Sequence, residues 1–184
     1  MSKERIHRFI WLFMAILFIV TALGVGVYAF WVNTKGSGSG QANNYIKCPV
    51  KAVTAVQAKK DGKLQGEKLA GFTPVKHVDY LQCQDLKVGI GATATPTSSV
   101  TAIYTGALAS DGTIFQSSED TGQPFTASLS SGVIQGWSAG LPGMKVGGQR
   151  RLFIPAQYAY GSQSVGGIPP NSDLVFDITL LAVK

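Results

Sequence analysis

Beyond residue 72 the chain has a single segment whose apolar residues recur at helical spacing. In GVIQGWSAGL, residues 132–141, Val133, Trp137 and Leu141 stand at i, i+4 and i+8, and Ile134 falls beside Trp137. Around it the pattern is different: short apolar runs alternate with Gly, Pro, Ser and Asp. Tyr80-Leu81-Gln82-Cys83 is followed by Asp85-Leu86-Lys87-Val88-Gly89. Val100, Ala102, Tyr104, Gly106 and Leu108 share one face of a run that ends before the turn signal Asp111-Gly112, after which Thr113-Ile114-Phe115 resumes. Phe125, Ala127 and Leu129 alternate, residues 150–154 form another run stopped by Pro155, and residues 173–183 place Leu174, Phe176, Ile178 and Leu180 on one face. Such runs predict a mostly antiparallel sheet. The expected class is α+β: a curved antiparallel β-sheet wrapped around one short α-helix, spanning residues 80–184. A lone short helix must fill the concavity of the sheet, and a ring as large as Trp137 does so.

The first part of the chain follows other rules. Residues 9–31, FIWLFMAILFIVTALGVGVYAFW, are 23 positions without a charge. As a helix they would reach about 34 Å, enough for the roughly 30 Å hydrocarbon core of a membrane. A buried soluble helix would show a polar face, and this block has none. Lys3, Arg5 and Arg8 precede it and Trp11 and Trp31 stand near its ends, which predicts a single transmembrane helix with a cytoplasmic N-terminus at residues 1–8. The rival is a cleaved signal peptide with Val27-Tyr28-Ala29 as its cleavage site, although the block exceeds the usual apolar length of such peptides. An uncleaved anchor is preferred, with the rest of the chain outside the plasma membrane. Residues 32–44, NTKGSGSGQANN and its flank, read as a flexible linker. Residues 45–79 form an extension that resists assignment. Within it, Pro49 followed by VKAVTAVQAKK predicts a short helix ending at Asp61-Gly62.

The net charge of +6 is unevenly spread. Residues 36–79 carry seven basic and three acidic side chains, whereas residues 80–184 carry five basic and six acidic. The predicted domain is therefore close to neutral, which argues against nucleic acid as a partner. The lysines between positions 47 and 68 read as a solvated flexible segment rather than as a surface for anionic polymers or lipid. With two cysteines and two histidines the chain has too few ligands for a Cys/His zinc site. Cys48 and Cys83 stand 35 residues apart and outside the cytoplasm read as a disulfide, the alternative being two unpaired thiols. The bond would be worth roughly 3–4 kcal/mol by chain entropy and would pin residues 48–76 to the domain.

Aromatic residues at period two usually form core, and Leu174 and Ile178 are read as core. Tyr104, Phe115, Phe125 and Phe176 gather on the sheet face that meets the helix, with Trp137 beneath and Tyr158 and Tyr160 just after a strand. So many rings around one short helix can line a cavity instead. The blocks IYTGALASDGTIFQSS, GVIQGW, GMKVGGQRR, YAYG and IPPNSDLVFDITLL, in this order, resemble the FKBP-type peptidyl-prolyl cis-trans isomerases over residues 80–184. The GGQRR block looks bacterial.

The resemblance implies that Trp137 is the floor of a proline pocket, with Tyr104, Phe115, Phe125, Val133, Ile134, Tyr160 and Phe176 as walls. It implies that the Ile134 N–H binds the substrate carbonyl, that the Tyr160 hydroxyl donates a second hydrogen bond, and that Ile168 closes one side from a loop. Gln116 stands where the family commonly has Asp, which counts against macrolide binding. Ala127 replaces a second aromatic and widens the wall. The large insertion of chaperone-like relatives is missing, which implies a modest grip on extended unfolded chains. The expected partners are proline-containing polypeptides and, through the anchor, the membrane.

Other catalytic classes find no footing. P-loop and dinucleotide fingerprints are missing, and no Ser/His/Asp or Cys/His set is available. Rotating a prolyl bond needs no cofactor and no metal. The alternative is a non-catalytic module of the same fold that captures proline-containing segments of an envelope partner, and Gln116 and Ala127 lean that way.

Overall fold

A computed structural model describes residues 46, 48–53, 55 and 57–184. The expected cytoplasmic segment, anchor and linker, residues 1–44, lie outside the described residues. Among the described residues no helix is long and apolar enough to cross a membrane.

Six antiparallel strands form one sheet: β1 (Gln82–Lys87), β2 (Ser99–Leu108), β3 (Ile114–Ser117), β4 (Phe125–Ser128), β5 (Gln149–Ile154) and β6 (Leu174–Val183). Their order is β1-β5-β6-β2-β3, and β4 also pairs with β2. The ten-residue β2 is shared along its length: Val100 pairs with Ala127 and Ala102 with Phe125 at one end, Thr105 with Ser117 at the other. On its second side it runs against β6 from Val100↔Val183 to Leu108↔Leu174. The turn predicted at Asp111-Gly112 connects β2 to β3, with Gly112 at φ 74°, a left-handed conformation that suits glycine.

The helix is real but shorter than its apolar spacing suggests. It covers Gln135–Gly140, here α1, and Val133 and Ile134 precede it outside the helix, Ile134 in extended backbone at φ −63° and ψ 152°. Six residues cannot hold a helix by themselves. Tertiary packing does: Trp137 and Leu141 are buried in the main core, and burying a ring of about 200 Å² contributes roughly 5 kcal/mol. Gly136 and Gly140 let α1 lie directly on β5. A Cβ at Gly136 would stand 2.5 Å from a methyl of Ile154, and one at Gly140 2.8 Å from Leu152.

Alternation along the strands produces two cores. Leu152, Ile154, Leu174, Phe176, Ile178 and Leu180 meet α1 on one face. Ala107, Ile114 and Val175 point to the other, where Leu64 and Leu69 cover them and Phe72 and Phe153 pack alongside. The second core was not foreseen, and it gives the extension a defined place. The helix expected over residues 49–61 is not formed among the described residues. Its apolar face is thin, and extended pairing satisfies the backbone better: Asp85 N–H donates to Pro49 O at 2.9 Å and Lys51 N–H to Asp85 O at 2.8 Å, beside β1. The solvated segment expected around the lysines is tied down as well. Ile114 N–H donates to Glu67 O and Gly66 N–H to Ile114 O, both at 2.8 Å, so residues 66–69 run along the free side of β3. The outer sides of β1 and β3 are thereby paired, which leaves fewer sites for edge-to-edge association. Cys48 and Cys83 are joined in a disulfide, with 5.0 Å between their Cα atoms.

Candidate functional site

A cavity of about 330 Å³ opens between α1 and the sheet. Four of the six strands and α1 each deliver one or two side chains to it. Tyr104 comes from β2, Phe115 and Gln116 from β3, Phe125 from the first position of β4 and Phe176 from β6. Gly132, Val133 and Ile134 contribute from the segment that leads into α1, Trp137 from α1 itself, and Tyr160 from the chain after β5. Trp137 lies 4% exposed at the centre, with Tyr104 at 5.5 Å, Phe176 at 5.6 Å and Phe125 at 5.9 Å between ring centroids, all nearly perpendicular to it. Phe115 stands edge-on to Phe176 at 5.7 Å. These edge-to-face contacts let rings lean on one another without filling the space between them. Phe125 is 37% exposed and forms the rim.

The lining carries no charged side chain. Burial, with a further contribution from the nearby Tyr160 phenol, pushes the Tyr104 hydroxyl above its ordinary pKa, so Tyr104 is neutral at physiological pH. Among the described residues, the Trp137 indole nitrogen is the one buried side-chain polar atom without a hydrogen-bond partner, and aromatic rings surround it. The Ile134 N–H makes no hydrogen bond among the described residues, while its carbonyl accepts from Trp137 N–H at 2.9 Å. A ligand in the cavity thus meets apolar rings, the Gln116 amide, the free Ile134 N–H and two phenols.

Several residues hold these groups in place. The Ser118 hydroxyl accepts from Tyr104 N–H at 2.9 Å, and the Ser117 hydroxyl donates to Tyr104 O at 3.1 Å, which fixes the backbone that carries Tyr104. Asp173 accepts from Ala156 N–H at 2.8 Å and anchors the 3₁₀ turn Ala156–Tyr158 that leads to Tyr160. Sequence reasoning gave Ser117, Ser118 and Asp173 no role. The paired serines directly after a strand were the available signal, since short hydroxyls there compete for backbone groups. Gly106 is also needed: a Cβ there would come within 2.7 Å of both Phe115 and Phe176.

Of the residues that the sequence assigned to the site, Tyr104, Phe115, Gln116, Phe125, Val133 and Ile134 come together here, as do Trp137, Tyr160 and Phe176. Ile168 does not line the cavity. The loop doubles back through the Val165↔Ile168 bridge and turns Ile168 into the main core, 3% exposed. Ala127 is likewise not among the lining residues, and Tyr158 is 39% exposed.

Residues 91–181 match the family model of the FKBP-type peptidyl-prolyl cis-trans isomerases. FK506-binding protein 4 of Aspergillus fumigatus is 43% identical over 67% of this chain and 25% of its own length. The chain spans about a quarter of the length of the fungal relatives it matches. A crystal structure of a peptidyl-prolyl cis-trans isomerase from Pseudomonas syringae pv. tomato superposes with a TM-score of 0.52 at 37% identity, over 60% of this chain and 80% of that one. The FK506-binding protein of Neisseria meningitidis is 46% identical over 54% of this chain, and the match takes in 93% of that protein. Relatives therefore come from fungi and bacteria alike. With nearly the whole of a compact relative matched and the same sheet and helix in place, the chain belongs to the FKBP-type peptidyl-prolyl cis-trans isomerase family.

Proposed function

We propose that this chain is a peptidyl-prolyl cis-trans isomerase that assists the folding of proteins outside the cytoplasm, in a bacterial, membrane-anchored form. The observation that carries the reading is the uncharged aromatic cavity over Trp137. The planar amide owes a barrier of about 18–20 kcal/mol to its partial double bond. Twisting it localises the lone pair on nitrogen and shrinks the carbonyl dipole. A cavity of rings without charges holds that less polar state better than the planar one, and binding the twisted form preferentially accelerates rotation. Trp137 receives the proline ring, and Tyr104, Phe115, Phe125, Val133 and Phe176 shape the walls. The free Ile134 N–H donates to the substrate carbonyl, and the Tyr160 hydroxyl donates beside it. No proton transfer is required.

The placement outside the cytoplasm is supported by the disulfide, a bond that persists in oxidising compartments, and by the apolar block at residues 9–31 with basic residues before it. Gln116, at the mouth of the cavity in place of a carboxylate, favours a second reading in which the fold captures proline segments without turning them over. Isomerisation of a proline peptide by the full chain separates the two. We expect catalysis with a flat rate between about pH 6 and 9, because the lining carries no carboxylate, histidine, lysine or cysteine, and burial pushes the Tyr104 hydroxyl above its ordinary pKa. Tight peptide binding with no acceleration would leave the capture module as the function.

A further inference from the structure

A second cavity, about 410 Å³, lies next to the first. Phe115 and Gln116 line both, so the two adjoin. Beyond Gln116 the outer part is walled by Lys63 and Gln65 of the extension on one side and by Gly166 of the following loop on the other, over Ser117 and Asp120. The wall made by the extension is built in. Lys60 and Lys63 close a tight turn at Asp61-Gly62, with N–H to carbonyl bonds of 2.9 Å in both directions. Leu64 N–H and Gln65 N–H then donate to the two Asp120 carboxylate oxygens at 2.7 and 3.0 Å. Leu64 is fully buried in the second core, which fixes its exposed neighbours Lys63 and Gln65 at the groove.

The charges around this groove are unequal in availability. Both Asp120 oxygens are turned to backbone donors. Glu119 pairs with Lys59 at 3.4 Å. The Lys63 ammonium has no carboxylate partner among the described residues. A proline held over Trp137 belongs to a longer chain, and that chain must leave the pocket. The outer groove is an exit lined with polar groups, one unengaged cation and a glycine that leaves room for a backbone.

We propose that this outer groove binds the polypeptide segment flanking the substrate proline, and that Lys63 makes it prefer an acidic residue there. The inference rests on the pocket over Trp137 being the proline site. It assigns the extension a part in substrate choice, alongside its packing on the sheet.

The test uses the full chain and Lys63→Glu, an exposed change that leaves the buried neighbour Leu64 in place. Three peptides are compared: a short blocked Ala-Pro peptide, and two longer proline peptides whose flanking residues are either Glu or Lys. Dissociation constants come from NMR titration and isomerisation rates from exchange spectroscopy on the same samples. Reversing one exposed charge should weaken binding and lower kcat/KM of the Glu peptide about fivefold and favour the Lys peptide, with the short peptide unchanged. The difference should fade at about 1 M salt, where the screening length is about 3 Å. Charge-dependent binding without isomerisation would sink the enzymatic reading and leave the groove standing. Equal affinity of wild type and Lys63→Glu for the Glu and Lys peptides would overturn the groove, whatever the turnover.

Discussion

Arg150 and Arg151 are adjacent in the chain and serve opposite faces of one sheet. Arg150, 4% exposed, reaches the helix side: its Nε donates to Asp85 at 2.7 Å and its Nη1 to the carbonyl of Gly140 at 2.8 Å, so it holds the end of α1 against β1 and β5. Arg151, 2% exposed, reaches the outer side: it makes a two-bond pair with Asp177 at 2.6 and 2.8 Å, and donates to the carbonyls of Ala70 and Gly71. It also lies over the Phe72 ring at 5.7 Å. On the helix side the rings of Tyr104, Phe115, Phe125 and Phe176 stand around a cavity they do not fill. On the outer side Leu64, Ala107, Ile114 and Val175 are at most 1% exposed, small aliphatic side chains sealed by the extension. A site that keeps an open cavity forgoes packing energy on its own face. The difference teaches that a pocket of this kind is kept open by cohesion elsewhere, here partly by a segment outside the family's core.

The largest effect expected from breaking this arrangement is on the outer face. Arg151→Met leaves the Asp177 carboxylate and the carbonyls of Ala70 and Gly71 without their donor, and removal of one member of a buried ion pair typically costs about 3–5 kcal/mol. Urea denaturation should show that loss, while kcat/KM on a short proline peptide, measured where the variant is folded, stays within about twofold of wild type. Equal losses in both would mean that the two faces are not separable.

Gly106→Ala acts on the other face. The added methyl meets Phe115 and Phe176 and must displace rings. Overpacking of this kind costs about 1–3 kcal/mol, and a tenfold fall in kcat/KM corresponds to about 1.4 kcal/mol of lost transition-state binding. We expect a modest drop in denaturation midpoint and at least a tenfold drop in kcat/KM. Unchanged turnover would show that the ring positions do not matter.

The smallest effect concerns how the extension is fastened at its edge. Lys68 Nζ donates to Asp111 at 2.8 Å, and this bond, with those from Thr113, lowers the Asp111 pKa to about 2. The folded carboxyl thus holds its proton more weakly than the unfolded one. Its contribution to stability is complete above the unfolded value near 3.8 and is lost as pH falls through about 2. Asp111→Asn should therefore flatten the acid limb of the stability curve slightly. Because the pair is exposed to solvent, added salt should shrink the difference. An acid limb identical to that of wild type would remove this contact from the account.

The helix side was legible in the sequence because its signals are local. Period two in β2, β4 and β6, and the i, i+4 spacing of Trp137 and Leu141, name the face and its cover directly. The outer side was not, because its core joins residues far apart in the chain: Leu64 and Leu69 meet Val175 and Ala107, and neither segment carries a pattern that names the other. Hints existed in Ala107, Phe153 and Val175, apolar residues between the positions assigned to the inner face. The helix expected after Pro49 failed for a related reason, since propensity along residues 49–61 cannot register the partner that β1 offers. Ile168 stands in the main core after Gly166 and Gly167, at φ 53° and 85°, turn the loop back on itself, a reversal that no local pattern announces.

The central claim is that the uncharged aromatic cavity over Trp137 turns over prolyl bonds. Tyr160 tests it most directly, because it lines the cavity, lies outside every strand and is only half-buried at the margin of the main core. The measurement is kcat/KM for isomerisation of a short blocked Ala-Pro peptide by wild type and by Tyr160→Ala, with circular dichroism and urea denaturation to establish that both are folded. The account predicts clear catalysis by the wild type and a loss of about tenfold or more in the variant at nearly unchanged stability. Wild-type turnover in a folded Tyr160→Ala protein would contradict it.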